Sequence, residues 1–112
     1  MNQDDIEQLR RIKKLVKEGK RRFKSRKDRD YLLDLNELRL TEEDAWKEIL
    51  YLNKNFFVID NKPFYNRDNK KLIFKKLING MFAYIKLELI IENNEEVVCW
   101  SFHRDIGDNN EM

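Results

Sequence analysis

The stretch LIFKKLINGMFAYIKLELIIENNEEVVCWSFH, residues 72–103, decides how this chain folds. It holds three runs rich in β-branched, aromatic and aliphatic residues, separated by two short polar breaks. The first break, Asn79-Gly80, is the strongest short hairpin signal a sequence carries, because a type I′ turn needs positive φ at both positions. The second, Asn93-Asn94, is read as another two-residue turn. Strands are therefore expected at Leu72–Ile78, Met81–Ile91 and Val97–His103.

Two turns fix a register that can be checked. If Ile78 pairs with Met81, then Lys76 faces Ala83, Lys75 faces Tyr84, Phe74 faces Ile85 and Leu72 faces Leu87. If Glu92 pairs with Glu95, then Ile85 faces Phe102, Leu87 faces Trp100 and Leu89 faces Val98. One face becomes apolar, in rows Phe74–Ile85–Phe102 and Leu72–Leu87–Trp100. The other carries Lys75–Tyr84–His103 in one row and Ile73–Lys86–Ser101 in the next. Opposed side chains start about 5 Å apart, so an ammonium, a phenol and an imidazole can reach one ligand.

The residues before this sheet read as helical. Ile6, Leu9, Ile12, Leu15 and Val16 recur at helical spacing, with Asp4 and Glu7 read as an acidic capping box and Gly19 as the stop. A second helix is expected over 29–38, with Tyr31, Leu32, Leu35 and Leu38 facing inward. Thr41 and Asp44 cap a third, TEEDAWKEILYLN, whose apolar face holds Ala45, Trp46, Ile49, Leu50 and Leu52. Asn55 to Asp60, with Phe56, Phe57, Val58 and Ile59, reads as a further strand, and DNKPFYNRDNK (60–70) as a loop. The expected fold is a single α+β domain of two layers spanning 1–112. Its N-terminal helices pack on a three- to four-stranded antiparallel sheet, with an acidic, polar tail over 105–112.

Composition narrows the function. Charged residues make up 39% of the chain, against about a quarter in ordinary domains, yet the net charge is only +2. The charge is concentrated: residues 20–29 read KRRFKSRKDR, seven cations in ten residues. This exceeds what solubility needs and points to RNA backbone contact by Arg21, Arg22, Lys24, Arg26 and Lys27, or to docking against an acidic protein. Arg104 is placed either to clamp a phosphate or to pair with Asp105. The single cysteine, Cys99, supports neither a disulfide framework nor a zinc site. Asp60 and Asp68 lack the spacing of a metal or glycosidase site, and Ser101 has no Asp-oriented histidine beside it. Trp46 and Trp100 read as core. The acidic start MNQDDIEQL and the lack of any apolar run near 18 residues give the expectation of a cytoplasmic protein without a membrane or a metal.

With the strands placed, the chain resembles the MqsR (motility quorum-sensing regulator) family of type II toxins, relatives in fold of the RelE-type messenger-RNA interferases. The resemblance is carried by IKKLVKEGK (12–20), DLNELRLTEEDAWKEILYL (34–52), NGMFAYIKLEL (79–89) and VVCWSFH (97–103), in order over most of the chain. The last two pieces are the most specific. It implies a RelE-like fold and a sequence-selective endoribonuclease that cleaves mRNA with no cofactor. It also implies a cognate antitoxin, MqsA-like, with zinc motifs and a helix-turn-helix. The family's site tyrosine falls on Tyr84, the lysine of the same strand on Lys86, and the basic residue closing the last strand on His103. Lys75 joins them through register alone. Two positions depart: the lysine that follows an aromatic pair on the family's first strand is Val58 here, after Phe56-Phe57, and a site glutamine has no equivalent near residues 70–72.

Metal-free RNA cleavage suits such a row. A base takes the 2′-OH proton, an acid protonates the leaving 5′-oxygen, and cations stabilise the phosphorane. Imidazole titrates near neutrality, which suits His103 to proton transfer in either direction. The plainer readings remain open at this point: lysines solvate the outer face of a one-sided sheet, and Tyr84 is a cross-strand packing partner. The alternative function is a non-catalytic RNA- or protein-binding module on the same scaffold, for example a phage-encoded inhibitor.

Overall fold

The structure is a computed structural model in which residues 1–58 and 71–105 are described. The described residues form an α+β fold, with three helices against one face of a five-stranded sheet in the order β1-β5-β4-β3-β2.

The cap of helix α1 (Gln3–Lys17) lies two residues earlier than the sequence reading placed it. Asn2 and Asp5, not Asp4 and Glu7, form the capping box: the Asn2 side chain accepts from the Asp5 N–H at 2.8 Å, and Asp5 accepts in return from the Asn2 N–H. The helix ends at Gly19 as expected. With φ at +80° there, the Lys20 N–H turns back to the Leu15 carbonyl and the Gly19 N–H to that of Val16, a Schellman closure. Leu9, Ile12, Leu15 and Val16 are its buried stripe.

Helix α2 (Tyr31–Glu37) is capped by Asp30, and α3 (Glu42–Leu50) by the Thr41–Asp44 box. Leu32 is 51% exposed, so it does not face inward, whereas Leu35 and Leu38 are buried. The seven-residue helix is too short to present three turns to the core. Its Schellman closure places Arg39 at φ +62°, a conformation costly for a residue with a Cβ.

The sheet departs from the expectation of a purely antiparallel one. Between α1 and α2, Arg21–Phe23 forms β1, which runs parallel to β5 (Glu96–Arg104), with Arg21 opposite Val97 and Phe23 opposite Cys99. A three-residue strand inside a basic run carries too little apolar periodicity to be read as sheet. A 3₁₀ turn (Lys54–Phe56) leads into the two-residue β2, Phe57–Val58. Strand β2 pairs with β3 (Lys71–Ile78), which pairs with β4 (Met81–Ile90). The expected loop 60–70 and the tail beyond residue 105 lie outside the described residues.

The first hairpin has the expected register throughout, from Ile78–Met81 to Lys71–Glu88. Asn79 and Gly80 both have positive φ, +52° and +83°. The Asn79 Nδ2 also donates to the Leu38 carbonyl at 2.8 Å, tying this turn to the end of α2. The second hairpin differs. Ile90 pairs with Glu96 across a five-residue connection, so the lower ladder is offset by one residue: Leu89 faces Val97, not Val98, and Leu87 faces Cys99, not Trp100. A β-bulge then absorbs the offset. Lys86 faces Ser101, Ile85 faces Phe102 and Tyr84 faces His103, with Trp100 the extra residue.

That offset reassigns three side chains. Val97 and Cys99 turn into the core, and Trp100 turns out of it. The remaining core joins Leu72, Phe74, Ile85, Leu87 and Phe102 from the sheet to the buried faces of the helices, Trp46 of α3 among them. Burial pushes the Cys99 thiol far above its usual pKa, and its Sγ donates to the Ser101 carbonyl. Cys99 is therefore an inert packing residue. Among the described residues no helix is long and apolar enough to cross a membrane.

Candidate functional site

The face of the sheet away from the helices gathers the four expected catalytic residues. Its central row is Lys75, Tyr84 and His103, one each from β3, β4 and β5. The Tyr84 and His103 rings stack, with centroids 5.2 Å apart and planes 18° from parallel. Stacking across neighbouring strands follows from their direct opposition. The His103 Nδ1 lies 3.0 Å from the Arg104 carbonyl oxygen. A carbonyl can only accept, so Nδ1 carries the proton in this contact, and Nε2 of the neutral ring holds the free lone pair.

Lys75 does not reach into the row unopposed. Its Nζ lies 3.0 Å from an Asp105 carboxylate oxygen, and the Asp105 N–H donates to the Phe82 carbonyl at 2.7 Å, which continues the ladder past β5. Asp105 thus has Lys75 as an ion-pair partner. Arg104 lies opposite Ala83, a core-side position, so strand alternation sends its side chain to the other face from His103. Arg104 is not part of the row.

The second row is Val58, Ile73, Lys86 and Ser101 across β2, β3, β4 and β5. Val58, where the resembling family has a lysine, thus occupies an outer-face position in the same row as Lys86. The third row was not foreseen. Lys71 lies opposite Glu88, and the bulged Trp100 leans over both. The Trp100 Nε1 donates to Glu88 Oε1 at 2.6 Å, and the Lys71 Nζ lies 4.8 Å from the indole centroid. The Lys24 Nζ, arriving from the end of β1, lies 5.0 Å from the same ring. The bulge that turns Trp100 outward leaves no mark in the hydrophobic pattern, where Val98, Cys99 and Trp100 read as one apolar run.

The basic run is divided by its strand. Arg21 points to the helix layer, where it donates to the Val16 carbonyl and to Glu43 and covers the Trp46 ring at 5.3 Å. This is a structural role, and Arg21 does not join the outer face. Arg22 pairs with Glu96 at 2.9 Å. Arg26 pairs with Asp28 at 3.5 Å and Arg29 with Asp34 at 2.7 Å, so this loop is partly neutralised by its own acids. Lys27 is exposed at its tip. Of the five expected contacts in the run, Lys24 reaches the Trp100 ring, and Arg26 lines the same small cleft beside Trp100 and Ser101.

Among the described residues no group of three or more His, Cys, Asp or Glu side chains is gathered in a way that could hold a metal. The sequence matches no protein-family model and no curated protein. The site's chemistry must be read from the residues themselves.

Proposed function

We propose that this protein is a metal-independent endoribonuclease that cleaves single-stranded RNA at the Lys75–Tyr84–His103 row. The observation that carries this reading is the His103 imidazole, stacked on Tyr84 with Nδ1 bound to a carbonyl, on a face that also holds Lys75 and Lys86. The Nε2 lone pair takes the proton of a 2′-OH. The 2′-oxygen bonds to the adjacent phosphorus, and the bond from phosphorus to the 5′-oxygen breaks. The leaving 5′-oxygen takes a proton from the neighbouring phenol or ammonium, and the lysines stabilise the phosphorane charge. The products are a 2′,3′-cyclic phosphate and a 5′-hydroxyl.

The resemblance to MqsR-type toxins supports the same reading, since Tyr84, Lys86 and His103 are the positions it marks. Under this reading the cell holds the activity in check with a cognate antitoxin protein, and the substrate is messenger RNA. Expression of the chain alone then arrests growth, and His103→Ala relieves the arrest.

A second reading has two observations in its favour. Val58 replaces an expected lysine, and Asp105 occupies Lys75. Both suit a module that binds RNA without cutting it. Cyclic-phosphate ends on RNA incubated with the protein, lost with His103→Ala, exclude this second reading; intact RNA bound in a salt-dependent manner excludes the first.

A further inference from the structure

The bulge in β5 makes a second feature on the same face. Regular alternation would bury Trp100 beside Leu87; the extra residue turns it outward instead, half-buried, over Glu88 and Lys71. Its indole N–H is satisfied by Glu88, a carboxylate only 4% exposed, so the ring is held in place rather than merely left on the surface. Two ammoniums converge on this ring, Lys24 from just beyond β1 at 5.0 Å and Lys71 of β3 at 4.8 Å from its centroid. Glu88 is the one carboxylate among these contacts, and it is occupied by the indole. The cluster is therefore an anchored aromatic surface with surplus positive charge.

Those two properties together are what proteins use to hold single-stranded nucleic acid: an aromatic face on which an unpaired base stacks, and cations for the flanking phosphates. The position fits as well. Tyr84 and Glu88 are four residues apart on one strand and point to the same face, so the Trp100 cluster lies about 13 Å from the His103 row. Lys86 and Ser101 lie between them. One strand of RNA running along β4 and β5 spans both places within a few nucleotides.

We propose that Trp100, Lys24 and Lys71 form a nucleotide subsite that binds single-stranded RNA a few nucleotides from the cleaved phosphate. In the free protein the ammoniums cover the indole. A nucleobase takes their place on the ring, and the lysines swing to the phosphates on either side of it. The inference deepens the ribonuclease reading and rests on it for the choice of RNA, but its test does not need cleavage.

The probe is a short fluorescein-labelled 2′-O-methyl RNA, which has no free 2′-OH to attack and stays intact. Binding is followed by anisotropy over a salt series, and by quenching of tryptophan fluorescence. Trp100→Leu should weaken binding by about tenfold or more, while Trp100→Phe, which keeps a stacking face, should stay within about threefold. Quenching should be present in the wild type and absent in Trp100→Phe, since Trp46 is buried on the helix side. The double variant Lys24→Ala/Lys71→Ala, altered only at half-exposed ammoniums, should lower the slope of log K against log salt by about 1.4. Wild-type affinity in Trp100→Leu, an unchanged slope in the lysine variant, or equal binding of the same sequence as a duplex would each overturn the subsite. If cleavable RNA yields cyclic phosphates while these variants bind normally, the subsite fails and the ribonuclease stands. If the variants behave as expected and no cyclic phosphate forms, the ribonuclease fails and the subsite stands.

Discussion

Replacing Asp105 with asparagine should make the protein slightly less stable and yet tighten its grip on RNA. The Asp105 carboxylate sits 3.0 Å from the Lys75 ammonium, with side chains 20% and 35% exposed. Coulomb attraction at this distance is about 1.4 kcal/mol in bulk water and rises to about 5 kcal/mol near a protein surface. Desolvation, side-chain ordering and salt reduce the net value of such pairs to about 1 kcal/mol. Asparagine keeps the shape and the backbone bond from residue 105 to the Phe82 carbonyl. The expected loss of stability is therefore about 0.5–1 kcal/mol, read as a lower urea midpoint. An RNA phosphate approaching Lys75 no longer has to displace a carboxylate worth a similar amount, so affinity for an uncleavable 2′-O-methyl RNA should rise about fivefold at low salt. One more ammonium meeting phosphate also steepens the salt dependence by about 0.7 in log–log slope. Damage to the site would lower stability and affinity together, whereas this account requires opposite signs. Weaker binding by Asp105→Asn, or an unchanged salt slope, would refute the claim that Lys75 is a phosphate contact held in reserve by Asp105.

Further outcomes follow from other parts of the molecule. Val58→Lys places an ammonium in the row of Ile73, Lys86 and Ser101, and should raise single-turnover RNA cleavage several-fold; an equal or lower rate would count against that row's part in the chemistry. Arg39→Gly should stabilise the protein by about 1 kcal/mol, because an exposed arginine now sits at φ +62° and glycine relieves it, less the entropy glycine adds to the unfolded chain. A thermal melt should then move up by a few degrees. Hydrogen bonds from the Thr41 N–H and hydroxyl hold the Asp44 carboxyl below the usual carboxylate range. Its contribution to stability is thus fully present above the ordinary carboxylate value and fades as pH falls through the lowered one. Urea midpoints measured from neutrality to about pH 3 should fall less steeply for Asp44→Asn than for the wild type.

Most of the positions on the outer face could be read in the sequence, though partly through two errors that cancel. The Asn79-Gly80 turn carries its own geometry, so the β3–β4 pairing followed directly. The β4–β5 pairing assumed a two-residue turn at Asn93-Asn94 and no bulge. The real connection offsets the ladder by one residue, and the bulge at Trp100 offsets it back, which leaves Tyr84 opposite His103 as expected. Between those two points the expected register puts side chains on the wrong faces, hence Trp100 reads as core. Bulges follow from twist and packing in three dimensions and have no residue code comparable to Asn-Gly. The parallel β1 was hidden for a different reason. Its pairing partner lies more than seventy residues away, and its own three residues are mostly charged. The fate of the basic run depended on that strand: alternation along it sends Arg21 inward to Trp46 and Arg22 outward to Glu96. Helix caps were legible where Thr41 and Asp44 stand at capping-box spacing. At the first helix three acids and two amides compete for the same role, and the sequence does not single out Asn2.

The central claim concerns His103, and the most direct measurement is the chemistry of RNA ends. Single-stranded RNA is incubated with the purified protein in the presence of a chelator, and the products are examined for 2′,3′-cyclic phosphate and 5′-hydroxyl termini. The account predicts both termini, with the rate falling about 10²- to 10⁴-fold in His103→Ala while the thermal melt stays near that of the wild type. Intact RNA, or cleavage that survives loss of the imidazole unchanged, would contradict it.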